Sequence, residues 1–176
     1  MAKKVVRSPK GPRRQEVSAT TPAQIAALSV CARHDNKPDE LLEIFHEMQH
    51  ELGHVPEETL PVIATALNRS RAEIYGVLTF YHDFHRHPVG KHVVKICRAE
   101  ACQSMGTDEL CRHAEAKLNV PLGGTTADGA VTIEQVFCLG NCALSPAVMV
   151  GEKLYGRVDP KRFDEIIAGL EKEAAE

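Results

Sequence analysis

Tryptophan is absent and aromatic residues make up only 5% of the chain, so a base-stacking platform for single-stranded nucleic acid is not expected. No apolar run approaches the roughly eighteen residues that would cross a bilayer, which excludes a membrane-spanning helix. The chain contains no C-x-x-C, the spacing a thiol–disulfide exchanger uses. It also lacks a secretory hydrophobic region. Arg13-Arg14 ahead of Ala23 to Ala32 has the outline of a twin-arginine signal, but Gln15, Glu16 and Gln24 interrupt the apolar stretch that such a signal requires. A cytoplasmic protein is expected.

What is present is enough for one or two compact domains: 176 residues, 43% hydrophobic and 26% charged, able to bury a core. The formal net charge of −3 hides an asymmetry. Lys3, Lys4, Arg7, Lys10, Arg13 and Arg14 place six positive charges and no acid in the first fourteen residues, leaving 15 basic against 24 acidic residues in the rest. A body of that sign does not neutralise phosphates, so no nucleic-acid partner is expected of it. Residues 1–20 read as a basic, solvated tail.

Order is expected from Thr21, an N-cap with Pro22 at the first helical position and Gln24 completing a capping box. Asp39 to Leu52 predicts an amphipathic helix through Leu41, Phe45, Met48 and Leu52, stopped by Gly53. Pro61 to Leu67 predicts a short helix. Ser70-Arg71-Ala72-Glu73 is a second capping box, opening a helix with Ile74, Val77, Leu78 and Tyr81 in period. Residues 21–88 therefore predict a helical domain.

From residue 89 to 176 the pattern changes. His92 to Ile96 predicts a strand and Thr107 to Leu118 a helix. Val131 to Phe137 predicts a strand carrying Val131, Ile133 and Phe137 on one face. Ala147 to Val150 and Lys153 to Tyr155 flank Gly151-Glu152, a two-residue hairpin turn. Asp159-Pro160 opens a last helix with Phe163, Ile166, Ile167 and Leu170 inward. This order of strands and helices predicts a small thioredoxin-type sandwich, making the chain α+β overall.

Six cysteines stand at 31, 97, 102, 111, 138 and 142. In a chain with an ample core and no export signal, reduced thiols or metal ligands are expected rather than disulfides. Cys97 and Cys102 follow the first predicted strand, and Cys138 and Cys142 follow the second. If those strands are neighbours, four sulfurs meet at one sheet edge, the donor set of a four-thiolate centre. Gly140 permits a tight path between the second pair, and N–H groups around Ala101 and Asn141 are expected to reach sulfur. Structural zinc sites favour two residues between paired cysteines, whereas these pairs enclose four and three. A plant-type ferredoxin needs a third cysteine where this chain has Met105. Each pair can chelate one iron of a [2Fe–2S] cluster, while zinc and unliganded core thiols remain the other readings. Burial by Val94, Ile96, Val136 and Phe137 would favour the less charged, oxidised state of a cluster, and nearby N–H donors would oppose it. Cys31 and Cys111 read as small core residues.

The segments Cys97-Arg98-Ala99-Glu100-Ala101-Cys102-Gln103-Ser104-Met105-Gly106 and Cys138-Leu139-Gly140-Asn141-Cys142-Ala143-Leu144-Ser145-Pro146 resemble the thioredoxin-like [2Fe–2S] subunit family of NADH dehydrogenases. The nearest likeness is to gamma subunits of cytoplasmic NAD-dependent, molybdenum-containing formate dehydrogenase. Gly53-His54-Val55-Pro56 through Leu78-Thr79-Phe80-Tyr81-His82-Asp83-Phe84 resembles the N-terminal helical bundle of that family, so the likeness spans roughly residues 36–170. The resemblance implies a non-catalytic electron-transfer subunit with one [2Fe–2S] cluster on Cys97, Cys102, Cys138 and Cys142. It also implies an FMN- and NAD-binding iron–sulfur partner subunit and a catalytic subunit with a molybdenum cofactor. Arg98-Ala99-Glu100-Ala101 and Gln103 to Gly106 carry the formate dehydrogenase likeness. Equivalent subunits serve NADH:quinone oxidoreductases and NAD-linked hydrogenases.

Three other patterns compete. His46-Glu47-Met48-Gln49-His50 has the H-E-x-x-H form of zinc hydrolases, but on a helical wheel both histidines point away from Phe45, Met48 and Leu52. A solvated face is expected there. Ile63 to Tyr75 has the outline of a helix-turn-helix, with Arg69 and Arg71 near phosphate in a zinc-stabilised DNA-binding reading. The following Val77-Leu78-Thr79-Phe80-Tyr81 is too apolar for a recognition face, so helix packing or a partner contact is expected instead. His82, His85, His87 and His92 match no established ligand spacing and read as a polar linker.

Overall fold

The computed structural model describes residues 19–173, and its described residues separate into two compact units with the boundary between Pro88 and Val89. The basic segment and the Arg13-Arg14 pair lie outside the described residues.

The first unit is helical: α1 (Pro22–Arg33), α2 (Leu41–Leu52), α3 (Leu60–Ala66) and α4 (Arg71–Phe80). Thr21 caps α1 by accepting from the Gln24 N–H at 3.3 Å. The reciprocal half of that box lands one residue upstream, because Gln24 Oε1 accepts from the Thr20 N–H at 2.8 Å. At α4 the box closes fully: Glu73 N–H donates to Ser70 Oγ at 3.2 Å and Ser70 N–H to Glu73 Oε2 at 2.8 Å. These caps satisfy N–H groups that the first helical turn leaves without partners. The core forms where the apolar stripes meet: Val30 and Cys31 of α1, Ile44, Phe45 and Met48 of α2, Ile63 of α3, and Ile74 and Leu78 of α4. Phe84 closes it, its ring edge-on to Phe45 at 5.3 Å between centroids.

The second unit is built on a four-stranded sheet of order β2-β1-β3-β4 from β1 (His92–Cys97), β2 (Val131–Val136), β3 (Val148–Val150) and β4 (Lys153–Tyr155). β1 and β2 are parallel, with Cys97 opposite Val136; β1–β3 and β3–β4 are antiparallel. The hairpin places Val150 opposite Lys153 across Gly151-Glu152. Two longer helices accompany the sheet, α6 (Thr107–Leu118) and α7 (Pro160–Glu173), with the five-residue α5 (Glu100–Ser104) between Cys97 and α6. Val94, Ile96, Ile133 and Val148 from the strands share a core with Leu110 and Ala114 of α6 and Phe163, Ile166, Ile167 and Leu170 of α7. The order β-α-α-β-β-β-α, with helices packed on the sheet, is that of a small thioredoxin-like domain.

Parallel pairing of β1 and β2 brings the two strand ends to the same edge, and that fixes where the cysteine loops begin. The second strand ends at Val136, one residue short of the expected span. Phe137 therefore leaves the inward alternation and stands 70% exposed.

Candidate metal centre

Cys97 is the last residue of β1, its backbone held on both sides. Its N–H donates to the Ala147 carbonyl at 3.0 Å, and the next N–H, of Arg98, donates to the Val136 carbonyl at 2.8 Å. The buried Thr107 hydroxyl donates to the Cys97 carbonyl at 2.8 Å. Cys102 lies within α5, and both sulfur-bearing residues are 2% exposed, packed with Ala147 and flanked by Ala99, Val136 and Leu139. Cys138 and Cys142 are exposed, with their Sγ atoms 3.8 Å apart. The site thus has a buried pair from the β1 side and an exposed pair from the β2 side.

The loop that carries the second pair is strained. Cys138 itself adopts φ +79° and Gly140 φ +74°. The left-handed region costs a side-chain-bearing residue of order 1–3 kcal/mol, and such strain gathers at functional sites. The result is that the Gly140 N–H turns inward and donates to the Cys138 sulfur at 3.4 Å.

Electrostatics separates the sulfurs. Burial pushes the Cys97 thiol up, but the N–H groups of Ala99, Leu139 and Cys138 and the neighbouring Cys102 side chain oppose it, and the net shift is downward. Cys142 is shifted upward, first by its hydrogen bond with Cys138, then by charge on Cys138, with Cys102 and Cys97 adding to it. Cys102 and Cys138 are thus among the influences on Cys97, and Cys138, Cys102 and Cys97 among those on Cys142. Among the described residues no three His, Cys, Asp or Glu side chains gather tightly enough for a single ion. Two pairs of thiols, with backbone N–H groups aimed at sulfur, fit a centre of two metal ions with two thiolates each.

Cys31 and Cys111 stand apart in the cores of their respective units, 0% and 5% exposed. Burial pushes the Cys31 thiol up to about 11 and also raises Cys111. Both are core residues, as the sequence predicts. The sulfur-facing donors are the N–H groups of Ala99, Cys138, Leu139 and Gly140, close in sequence to the expected Ala101 and Asn141. Ala101 lies inside α5. Of the apolar residues expected around the sulfurs, Val136 packs there, Val94 and Ile96 belong to the main core, and Phe137 is exposed.

Two further residues shape the site, Ser145 inside the second cysteine segment and Gly156 outside both. Ser145 is buried, and its hydroxyl donates to the Cys142 carbonyl at 2.8 Å with Cys102 Sγ 3.5 Å away. A serine three residues after a ligand-spaced cysteine, placed to bond back to its carbonyl, is the pattern that marks it. Gly156 sits against Leu144 and Asn141 in the Cys142 loop, a closeness visible only once the chain is folded.

The competing motifs come apart on geometry. His46 and His50 are exposed; Glu47 bonds to Arg33 Nε and His34 Nε2, each at 2.7 Å, and His46 lies edge-on to Phe84. In the helix-turn-helix candidate, Ile74 and Leu78 are core residues, Arg69 pairs with Glu73 at 3.6 Å, and Phe80 is 71% exposed. His82, His85 and His87 belong to the first unit and His92 begins β1 of the second.

A thioredoxin-type fold whose strand ends carry paired thiols defines a class of small electron-transfer ferredoxins. Residues 27–171 match the thioredoxin-like [2Fe-2S] ferredoxin family, and the chain belongs to that family. It is 36% identical over 132 residues to the HndA subunit of the NADP-reducing hydrogenase of Solidesulfovibrio fructosivorans, covering 75% of this chain and 77% of that protein. It is 32% identical over 139 residues to a subunit of the NADH-quinone oxidoreductase of Rhizobium meliloti (strain 1021), covering 79% and 83%. In fold it is similar to an NAD+-reducing [NiFe]-hydrogenase solved in the H2-reduced state, with a TM-score of 0.66 and 23% identity. That match takes in 78% of this chain but 23% of the hydrogenase chain. Among the described residues, no helix is long and apolar enough to cross a membrane.

Proposed function

We propose that Cys97, Cys102, Cys138 and Cys142 hold one [2Fe–2S] cluster, and that the chain is the electron-transfer subunit beside the FMN- and NAD-binding subunit of a cytoplasmic NAD-dependent formate dehydrogenase. The observation that carries the proposal is that parallel β1 and β2 end together, Cys97 opposite Val136, with one pair of thiols at or after each strand end. When bound, such a cluster supplies reversible one-electron exchange. The chain's own part is to hold the sulfurs and shape their surroundings. Cys97 and Cys102, packed by Ala99, Val136, Leu139 and Ala147, keep water from one side. N–H groups of Ala99, Cys138, Leu139 and Gly140 offset negative charge on sulfur. Cys138 and Cys142 present the other side to a partner, next to exposed Phe137 and Leu144. No acid or base chemistry is needed, so catalysis belongs to the other subunits, including the one with molybdenum.

The formate dehydrogenase assignment is supported by the likeness of Arg98-Ala99-Glu100-Ala101 and of Gln103 to Gly106. A second reading, the equivalent subunit of an NADH:quinone oxidoreductase or an NAD-linked hydrogenase, is favoured by the names of the relatives. The two share the cluster and differ in the complex. Anaerobic purification, with iron and acid-labile sulfide assays, visible spectroscopy and paramagnetic resonance after reduction, tests the cluster. Two irons and two sulfides per chain are expected, and zinc in their place refutes it. Copurification of the tagged chain with its native complex tests the context. Formate-driven NAD+ reduction is expected; NADH:quinone or hydrogen-driven activity without it transfers the chain to the second reading.

A further inference from the structure

We infer that Ser145 is a positioning residue that raises the reduction potential of the centre by donating a hydrogen bond to the Cys102 sulfur. The inference rests on the reading of Cys97, Cys102, Cys138 and Cys142 as cluster ligands. Ser145 is 7% exposed, so its hydroxyl must find partners within the protein. It has two: the Cys142 carbonyl at 2.8 Å, to which it donates, and Cys102 Sγ at 3.5 Å. One hydroxyl therefore touches one member of each thiol pair, bridging the β1 side of the site to the β2 side.

With Cys102 protonated the arrangement is a relay, S–H to Oγ and O–H to the carbonyl, and each donor has an acceptor. Metal ligation removes the thiol proton. The sulfur then has nothing to donate, and lone pairs on Oγ and on an anionic sulfur would face each other in a buried place. The Ser145 hydroxyl carries the one proton that relieves this contact. A hydrogen bond to an ionised acceptor is roughly twice as strong as one to a neutral carbonyl, so the hydroxyl turns to the sulfur. An electron added to the centre increases the negative charge on its sulfurs. A donor to sulfur stabilises the reduced state more than the oxidised one, and the potential rises. The donors to Cys97 and Cys138 are backbone N–H groups, which a side-chain substitution does not remove. Ser145 supplies a donor that a single substitution deletes.

The test is a potentiometric titration of the anaerobically purified chain, followed by paramagnetic resonance, for the natural sequence, Ser145→Ala and Ser145→Thr. Iron and sulfide are assayed first. Absence of a cluster in the natural chain sinks the reading of the ligands, independently of Ser145. With the cluster present, Ser145→Ala is expected to shift the reduced-to-oxidised ratio at fixed potential about tenfold toward oxidised, a midpoint lower by about 59 mV for one electron. Ser145→Thr, which keeps the hydroxyl, is expected to hold the natural midpoint. Ser145→Gly serves as a second deletion should the Ala variant not take up the cluster. A midpoint unchanged or raised in a hydroxyl-deleted variant with full cluster content overturns the inference. Loss of the cluster from both deletions also overturns it, since Ser145 would then serve assembly rather than potential.

Discussion

Gly156 and Leu144 meet with no room for a side chain between them: a Cβ on Gly156 would lie 2.6 Å from the Leu144 Cβ. The same atom would lie 2.9 Å from both Asn141 Nδ2 and the Leu144 carbonyl oxygen. Asn141 and Leu144 bracket Cys142 in a single 3-10 turn, Cys142–Leu144, and the Arg157 N–H pins that turn by donating to the Leu144 carbonyl at 2.6 Å. The strand exit at Gly156 is thus the floor under one candidate ligand.

Gly156→Ala is expected to push the Cys142 turn outward. Overpacking of this kind costs about 1–3 kcal/mol. The displacement falls on the exposed thiol pair rather than on the core of Phe163 and Ile133, so the circular dichroism of the fold should survive. Cluster content should fall, read as iron and sulfide per chain. Full content in a folded Gly156→Ala protein would show that the turn yields without moving Cys142.

Single Cys→Ser changes should divide by position. At Cys97 or Cys102, both buried among apolar neighbours, serine removes a ligand and puts a hydroxyl in its place, so cluster and stability are expected to fall together. At Cys138 or Cys142, both exposed, the visible spectrum should bleach or distort with little change in the melting of the chain. Changes at Cys31 or Cys111 should leave the spectrum intact. An unaltered spectrum in any of the first four variants removes that residue from the ligand set.

The legibility of this chain follows the range of each interaction. Helical and strand periods are local, so Leu41, Phe45 and Met48, or Phe163, Ile166 and Ile167, declare their faces in sequence and are buried in the structure. The common end of the two thiol-bearing strands is also legible, because each pair follows a β-rich run and parallel neighbours end together, Cys97 opposite Val136. The same arithmetic puts the histidines of H-E-x-x-H on the outer face, and there they lie. What the sequence hides is set by loop dihedrals and by contacts between distant residues. The five residues of α5 are too few to show a period. Alternation carried one step too far puts Phe137 inside, whereas β2 stops before it. The sulfur-facing N–H groups depend on the positive φ of Cys138, which an ordinary cysteine does not announce.

Thiol reactivity in the metal-free chain offers a direct measure of the two environments. The thiolate is the reacting form, and reaction requires access. Cys138 and Cys142 are exposed, whereas Cys31 is 0% exposed and held near 11 by burial. At pH 8 two thiols are expected to react quickly with an aromatic disulfide reagent and Cys31 last, on the timescale of local opening. Mass spectrometry of the labelled chain identifies them. Rapid labelling of Cys31 would contradict a sealed helical core.

Glu47 is expected to act in the stability of the helical unit and in nothing catalytic. Its carboxylate is held below the usual 4.5, first by the hydrogen bond from His34 and then, against the cost of burial, by Arg33. A carboxylate lowered in the folded state contributes stability that is present above its unfolded-state value and is lost as the pH falls through the folded value. The natural chain should therefore melt above Glu47→Gln at pH 7, and the gap should close as the pH falls below about 4.5. Thermal melts of both proteins between pH 7 and pH 3 measure this. The same substitution should leave cluster content unchanged and abolish no peptidase activity, because Glu47 faces Arg33 and His34 rather than a metal. A gap that persists unchanged at low pH would mean that the Glu47 side chain acts through packing rather than charge, and a zinc-dependent peptidase activity lost on Glu47→Gln would restore the hydrolase reading of this helix.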